Sequence, residues 1–497
     1  MALSESQRRA IRHPLRWLFN PEPEQPGEIP RKELAFYTLG FWGQNHLYNM
    51  AGTNWFFHFC TNVLKIHPGT VGKMTGAVTV FDALNDPVAG AIIDNHRFKD
   101  GRKLLPWIKW TSPFIALTSF LLFVNWHFSS TGTQIFYSVM VYLCWDMLYS
   151  FQDASLWGMT AAISTHSAQR ARATQWADNG AFLGGLLPGL LLPMLSGNGA
   201  FGLTQQQVYF MFAVVMCLGG GFQSLFALGT TERVRSLPRE ERTVWSNVGA
   251  LRHNYILLLF LASEILRACG PNVADAYIYQ QMTFQVGGKA ISAPLVMTIL
   301  GTIFGLPGSA LKFFATKIAD RVGGMKRLLV IGVVTDLLTR VIGYFIGIQT
   351  LPRQILVSML GSISYLPNSI YSIAMRSMLS DSVEYVEWKT GERTEGITMS
   401  VRNLMSKMGG AIARFIQGRC LVFLQFSADR VEQGRPQNAH FQKWVWPVYR
   451  LGPALGLALG LVPLLLLRYP DALKQKVESE MAQRRELREE RAEALES

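Results

Sequence analysis

The sequence predicts an all-α integral membrane protein of twelve transmembrane helices in two six-helix bundles, with both termini in the cytosol. Three observations carry this. The chain of 497 residues is 49% hydrophobic and 16% charged, with 13 Trp and 30 Phe, too apolar for a soluble protein of that size. Its apolar residues fall in blocks, and windows of about 20 residues able to cross a hydrocarbon core centre near 48, 82, 115, 145, 182, 216, 265, 302, 336, 366, 411 and 456. Basic residues, finally, concentrate on alternate connections. Arg8, Arg9, Arg12, Arg16, Arg31 and Lys32 lie in the first, Arg97, Lys99, Arg102 and Lys103 in the next of that set, followed by Arg170 and Arg172 and then by Arg233, Arg235, Arg239, Arg242 and Arg252. As far as span eight the other connections carry little beyond Lys65 and Lys289, so the positive-inside rule assigns the basic set to the cytosol. Runs such as LGGLLPGLLLPML (183 to 195) are continuously apolar where the strands of a membrane barrel would alternate. Only helices satisfy such a backbone within lipid.

Taken in order, residues 1–33 form a cytosolic N-terminal segment without the uninterrupted apolar core of a cleavable leader. Residues 34–229 make the first bundle, and 230–253 the central cytosolic loop, the longest polar connection between spans. Residues 254–468 make the second bundle. A weak echo between DNHRFKDGRK (94 to 103) and ADRVGGMKR (319 to 327) fits repeated halves. Residues 469–497 interleave Glu and Arg at helical spacing and read as a solvated, ion-paired tail. The net charge of +13 follows from membrane topology, so no nucleic-acid partner is expected. The five cysteines show neither CxxC nor metal-ligand spacing and read as small buried hydrophobes.

Charged groups inside spans are costly and default to function. On span two, Asp82 and Asp86 are four apart on one helical face, with Asn85 beside them and Pro87 and Gly90 loosening the ladder. Two such carboxylates cannot both stay ionised in low dielectric without a cation or a proton between them. Oxygen-only ligands suit Na⁺ as well as H⁺; pairing with a basic residue on another helix is the structural alternative. On span four, Asp146, Ser150, Asp153 and Trp157 form one polar stripe. An acid that accepts from hydroxyls, next to an indole that can lie on a sugar ring, is the composition of a carbohydrate site. Span one crowds Gln44, Asn45, His46, Asn49 and Asn54 into about three turns, for interhelical bonds or for ligand hydroxyls. Span five adds Asp178. Glu264 with Arg267, and Asp336 with Arg340, read as self-neutralising pairs. Lys407 on span eleven, followed by Gly409 and Gly410, needs a carboxylate, and Asp82, Asp86 and Asp153 are the candidates. No HExxH, GxSxG or phosphate-cradling glycine loop suggests an enzyme.

DALNDPVAG, QDASLW, DSVEYVEWKTGERTEG and SKMGGA, distributed over both halves, resemble the glycoside-pentoside-hexuronide:cation symporters (melibiose permease-like) of the major facilitator superfamily. The resemblance implies a secondary active transporter that couples Na⁺, Li⁺ or H⁺ entry to sugar uptake in the cell's inner (plasma) membrane, with a coupling ion and no other cofactor. It implies a cation site of Asp82, Asn85, Asp86 and Ser150, and a sugar-binding acid at Asp153 with Trp157 as its aromatic neighbour; Asn45, Asn49 and Asp178 complete the expected substrate site. Lys407 resembles the family's lysine near the cation site, and the run Asp381 to Glu395 a cytosolic loop that helps close an inner gate; with Lys407, Asp146 and Arg402 are expected to form a coupling network. Two positions depart from the family's pattern: Asn45 stands where it has a helix-one acid, and Asp178 where it has a helix-five arginine. The cation half is thus better preserved than the sugar half. Arg267, Arg376 and Arg402 would suit an acidic sugar, while Asp178 argues against one. A lysolipid symporter and a non-transporting sugar sensor are the other readings.

Overall fold

The computed structural model describes residues 20, 28–96, 98–99, 101–164, 166–195, 202–233, 254–279, 282–310, 321–322, 325–390 and 395–467, with 473, 476–477, 479–481 and 483 of the tail. Contacts divide the chain into two units. Met1–Arg239 with Ser427–Pro436 forms the first, and Glu240–Phe426 with Gln437–Ser497 the second.

Span one of the first unit is not a single regular helix. It runs as α1 (Arg31–Leu47), a π-helical turn (Tyr48–Gly52) and α2 (Asn54–Asn62). The side chains of Asn45, Asn49 and Thr53 bond back to the carbonyls of Phe41, Asn45 and Asn49 at 3.0, 2.9 and 2.6 Å. Such back-bonding competes with the regular ladder and bends helices, and here it coincides with the wider turn. α3 (Pro68–Asn95) starts on a proline whose missing N–H costs nothing at that position. α4 (Leu105–Leu122), α5 (Thr131–Ala162) and α6 (Ser167–Leu195) follow. The last span joins α7 (Gln205–Phe212), opened by a Thr204/Gln207 capping box, to a π segment (Ala213–Leu218), α8 (Gly219–Ser224) and a 3-10 turn (Leu225–Gly229).

Glycines let α1 approach its neighbours at backbone distance. A Cβ at Gly180 of α6 would sit 2.3 Å from the Thr38 carbonyl oxygen, and one at Gly43 would sit 2.4 Å from the Gly220 carbonyl oxygen and 2.5 Å from the Ser224 nitrogen. Both are backbone atoms that cannot turn aside. Gly43→Ala is therefore expected to cost about 1–3 kcal/mol and to lower the midpoint of thermal unfolding in detergent; an unchanged midpoint would refute the close packing. Between α4, α5 and α8, Gln152 donates to Ser112 Oγ and Ser224 Oγ at 2.7 and 3.0 Å, a buried polar knot in which the Gln152 side-chain oxygen has no hydrogen-bond partner.

At the end of this unit that carries the basic connections, Glu232 accepts from the backbone N–H groups of Lys103, Leu104 and Leu105 at 2.9, 2.8 and 2.6 Å. A carboxylate there satisfies orphan donors at the start of α4. Its neighbour Arg233 makes a two-pronged pair with Glu33, at 2.9 and 2.5 Å, and donates to the Ile163 carbonyl.

The second unit contains α9 (Tyr255–Ala268), a short α10 (Asp275–Tyr279), a hairpin of β1 (Thr283–Val286) and β2 (Lys289–Ser292), then α11 (Ala293–Ala310), α12 (Met325–Ile346), α13 (Leu351–Thr390), α14 (Glu395–Phe423) and α16 (Ala439–Leu466); the short α15 (Ala428–Glu432) lies in the first unit. Where the sequence suggests only a polar connection, the antiparallel pair Val286↔Lys289 is closed by Gly287 and Gly288 at φ 56° and 78°, angles that suit a two-residue hairpin turn. The run from Asp381, expected as a loop, is helical as far as Thr390, because Val383, Val386 and Tyr385 are buried against the core. Residues 391–394 lie outside the described residues, as do 234–253 of the central loop. The tail also differs from a solvated helix. Val477 and Met481 are 0% and 2% exposed in a cluster with Met378, Leu379 and Val386, and Trp388 Nε1 donates to Glu480 at 2.6 Å.

By length and hydropathy, four of the described helical stretches qualify as spans: Pro68–Ile93, Gln205–Gly229, Lys326–Ile346 and Ala439–Leu466. α1 and α5 carry the amides and acids singled out above, which depress their hydropathy.

Candidate substrate and cation site

Facing sides of α1 and α5 build the site. Asp153, one turn beyond Tyr149 on α5, accepts at Oδ1 from Gln44 Nε2 at 2.7 Å, and the same amide donates to the Tyr149 hydroxyl at 2.6 Å. The Tyr149 hydroxyl lies 3.4 Å from the same carboxylate oxygen. Gln44 Oε1 accepts from Asn45 Nδ2 at 2.8 Å, so this buried amide is used at both ends. Around these polar groups stand aromatic rings. Phe41 meets Trp157 edge-on at 4.7 Å, and Tyr48 stacks on Tyr149 at 5.7 Å, which stacks on Trp145 at 5.0 Å. Tyr37 donates its hydroxyl to the Leu156 carbonyl at 2.5 Å. Residues 37, 41, 44 and 48, spaced to share one helical face, thus meet 156, 157, 153 and 149.

The acids of α3 approach the same helix α5 one turn away. Ser150 Oγ lies 3.5 Å from Asp82 Oδ1 and donates to the Asp146 carbonyl at 3.1 Å. Asp82, Asn85 and Asp86 are half-buried, and Asn85 keeps a buried amide nitrogen with no hydrogen-bond partner. Turning that amide end for end presents its oxygen instead. Among the described residues no three His, Cys, Asp or Glu side chains cluster as a metal site. A cation here would rest on two carboxylates plus hydroxyl and amide oxygens, a donor set that fits a hard monovalent ion.

Other expected residues lie elsewhere. Asn45 and Asn49 bond back along their own helix, and both abut α6: a Cβ at Gly184 would come within 2.5 Å of Asn45 Cβ, and one at Gly185 within 3.1 Å of Asn49 Nδ2. It is Gln44, one residue earlier, that reaches the acid. Asp178 is exposed on α6, and Asp146 is buried on α5. Lys407 and Arg402 lie half-buried on α14 of the second unit. Arg402 and Arg267 both lie close enough to Glu264 to act on it electrostatically, and Asp336 pairs with Arg340 at 2.9 Å. The side chain of Arg376 lies outside the described residues. Tyr149 and Tyr48 are contributors that the sequence reading passed over; Tyr149, four residues before Asp153, carried the available signal.

A helical membrane chain with an acid, amide and aromatic cluster next to paired intramembrane carboxylates is a transporter in class. A family model described as MFS/sugar transport protein matches residues 36–471, and the chain belongs to that family, one of transporters and not of enzymes. The chain is 28% identical over 382 residues to a lactose permease of Lactobacillus delbrueckii subsp. bulgaricus, a match covering 74% of this chain and 57% of that permease. It is 24% identical to the isoprimeverose transporter of Lactiplantibacillus pentosus, covering 92% of each. The fold is similar to the crystal structure of the nucleoside transporter NupG, at TM-score 0.58 and 13% identity, over 88% of this chain and 100% of that one.

Proposed function

We propose that the protein is a secondary active symporter that couples Na⁺ or H⁺ entry to uptake of a sugar or glycoside by alternating access. It has twelve spans, cytosolic termini and a place in the inner (plasma) membrane. One observation carries the proposal: α5 bears both halves of the site, with Asp153 in the hydroxyl-binding cluster and Ser150, three residues earlier, beside Asp82. A cation that draws the Asp82 and Asp86 carboxylates together would act on the helix that presents Asp153. Each ligand then raises the other's affinity by the same factor.

Gln44 and Tyr149 both donate to the substrate acid. A sugar hydroxyl that replaces the Gln44 amide as donor to Asp153 can hand its own acceptor oxygen to that amide, so no buried group is left unpaired. Trp157, 37% exposed, offers a ring face one turn away. An anionic sugar is the second reading, supported by Arg402, whose Nε is buried without a hydrogen-bond partner close to Glu264 and Arg267.

The test is uptake of labelled neutral glycosides, hexuronides and lysolipids into proteoliposomes, with an imposed Na⁺ or proton gradient and with none. Gradient-driven accumulation of a sugar is expected. Lysolipid uptake with silence across the sugars, or sugar binding without flux, would overturn the proposal, and competition between neutral and anionic glycosides decides between the two sugar readings.

A further inference from the structure

We infer that Tyr48 is a specificity-determining residue, a second stacking face that makes this carrier prefer two-ring glycosides over single sugars. The inference rests on Asp153 being the substrate acid. Tyr48 is 43% exposed, and it sits on Tyr149, whose hydroxyl lies 2.6 Å from Gln44 Nε2 and 3.4 Å from Asp153. Its seat is built for it. Tyr48 opens the π-helical turn that ends at Gly52, and a Cβ at Gly52 would stand 2.8 and 2.9 Å from the ring atoms Cδ2 and Cε2 of Tyr48 and 3.4 Å from Trp145. Only glycine leaves the phenol room there. Local π-helical geometry is uncommon and concentrates at functional positions.

The placement defines a length. Tyr149, which bears the Tyr48 ring, and Trp157 lie one turn to either side of Asp153 on α5. Eight residues of α-helix rise about 12 Å, more than one sugar ring covers and in keeping with two joined rings. A first ring would lie on Trp157 with its hydroxyls toward Asp153 and Gln44. The second ring, a sugar or an aryl aglycone, would then lie on Tyr48. Aromatic contacts of this kind are worth roughly a three- to tenfold change in affinity.

The experiment is competition for uptake in proteoliposomes by matched probes: lactose and phenyl galactoside against methyl galactoside, isoprimeverose against methyl xyloside, and phenyl glucuronide against methyl glucuronide. In the unmodified carrier, a two-ring probe is expected to compete better than its one-ring partner. Tyr48→Ala should raise the inhibition constant of that two-ring probe roughly three- to tenfold and leave its partner unchanged. Tyr48→Phe should keep the preference, and Gly52→Ala, by displacing the ring, should reproduce Tyr48→Ala. No preference in the unmodified carrier, equal losses for both probes, or loss in Tyr48→Phe would each overturn the inference. Asp153→Asn is the separate control. If it leaves every probe bound, the substrate site itself is misassigned; if it removes all binding while Tyr48→Ala changes nothing, only the role of Tyr48 falls.

Discussion

Asp153→Ala is expected to abolish binding of every substrate, with affinity falling about 100-fold or more. The carboxylate is the acceptor on which Gln44 and the Tyr149 hydroxyl converge. Removing it takes away the charged partner of a sugar hydroxyl and leaves a buried amide with one of its two acceptors, and both effects act in one direction. A site built to hydrogen-bond a hydroxyl loses far more from an unpaired polar group than an apolar pocket loses from a missing methylene. Titration of the purified variant with a panel of glycosides measures this directly, and normal affinity for any transported sugar would refute the assignment. Gln44 should be milder: Gln44→Ala removes a group that the sugar must displace as well as one that it can use.

Asp86→Asn is expected to abolish accumulation driven by a cation gradient while some flux down the sugar's own gradient persists. Asp86 follows Asp82 by one turn on α3, and Asp82 lies beside Ser150. With one carboxylate made a neutral amide, the charge that requires a cation or proton is halved, and the link between ion and sugar is lost before the sugar site is. Paired proteoliposome assays, with and without the imposed gradient, separate the two fluxes. Full concentrative uptake would take Asp86 out of the mechanism.

The intramembrane acids were legible because lipid makes them conspicuous: Asp82 and Asp86 on one helix, and Asp153 with Ser150 on another, stand out of their apolar runs at helical spacing. Which amide of span one reaches the acid was not legible. Gln44 and Asn45 are neighbours about 100° apart on a helix, and their direction depends on the glycines of α6 and α8, which fix the rotation of α1. The π-helical turn left no period to read. The tail was misjudged for another reason: its Glu and Arg outnumber the apolar residues, yet Leu473, Val477 and Met481 recur every four positions, and that stripe is what packs. The helical end of α13 was likewise hidden by a run of charges whose interleaved Val383 and Val386 are buried.

The fastening at Glu232 and Arg233 has a mechanical consequence. It pins the chain to the first unit up to residue 233, and at the far side Asn254 caps α9 through the Leu257 N–H and donates to Ser382 Oγ. Each unit therefore holds its own end of the central connection, so strain reaching residue 233 or 254 is borne first by the Glu33 and Ser382 contacts.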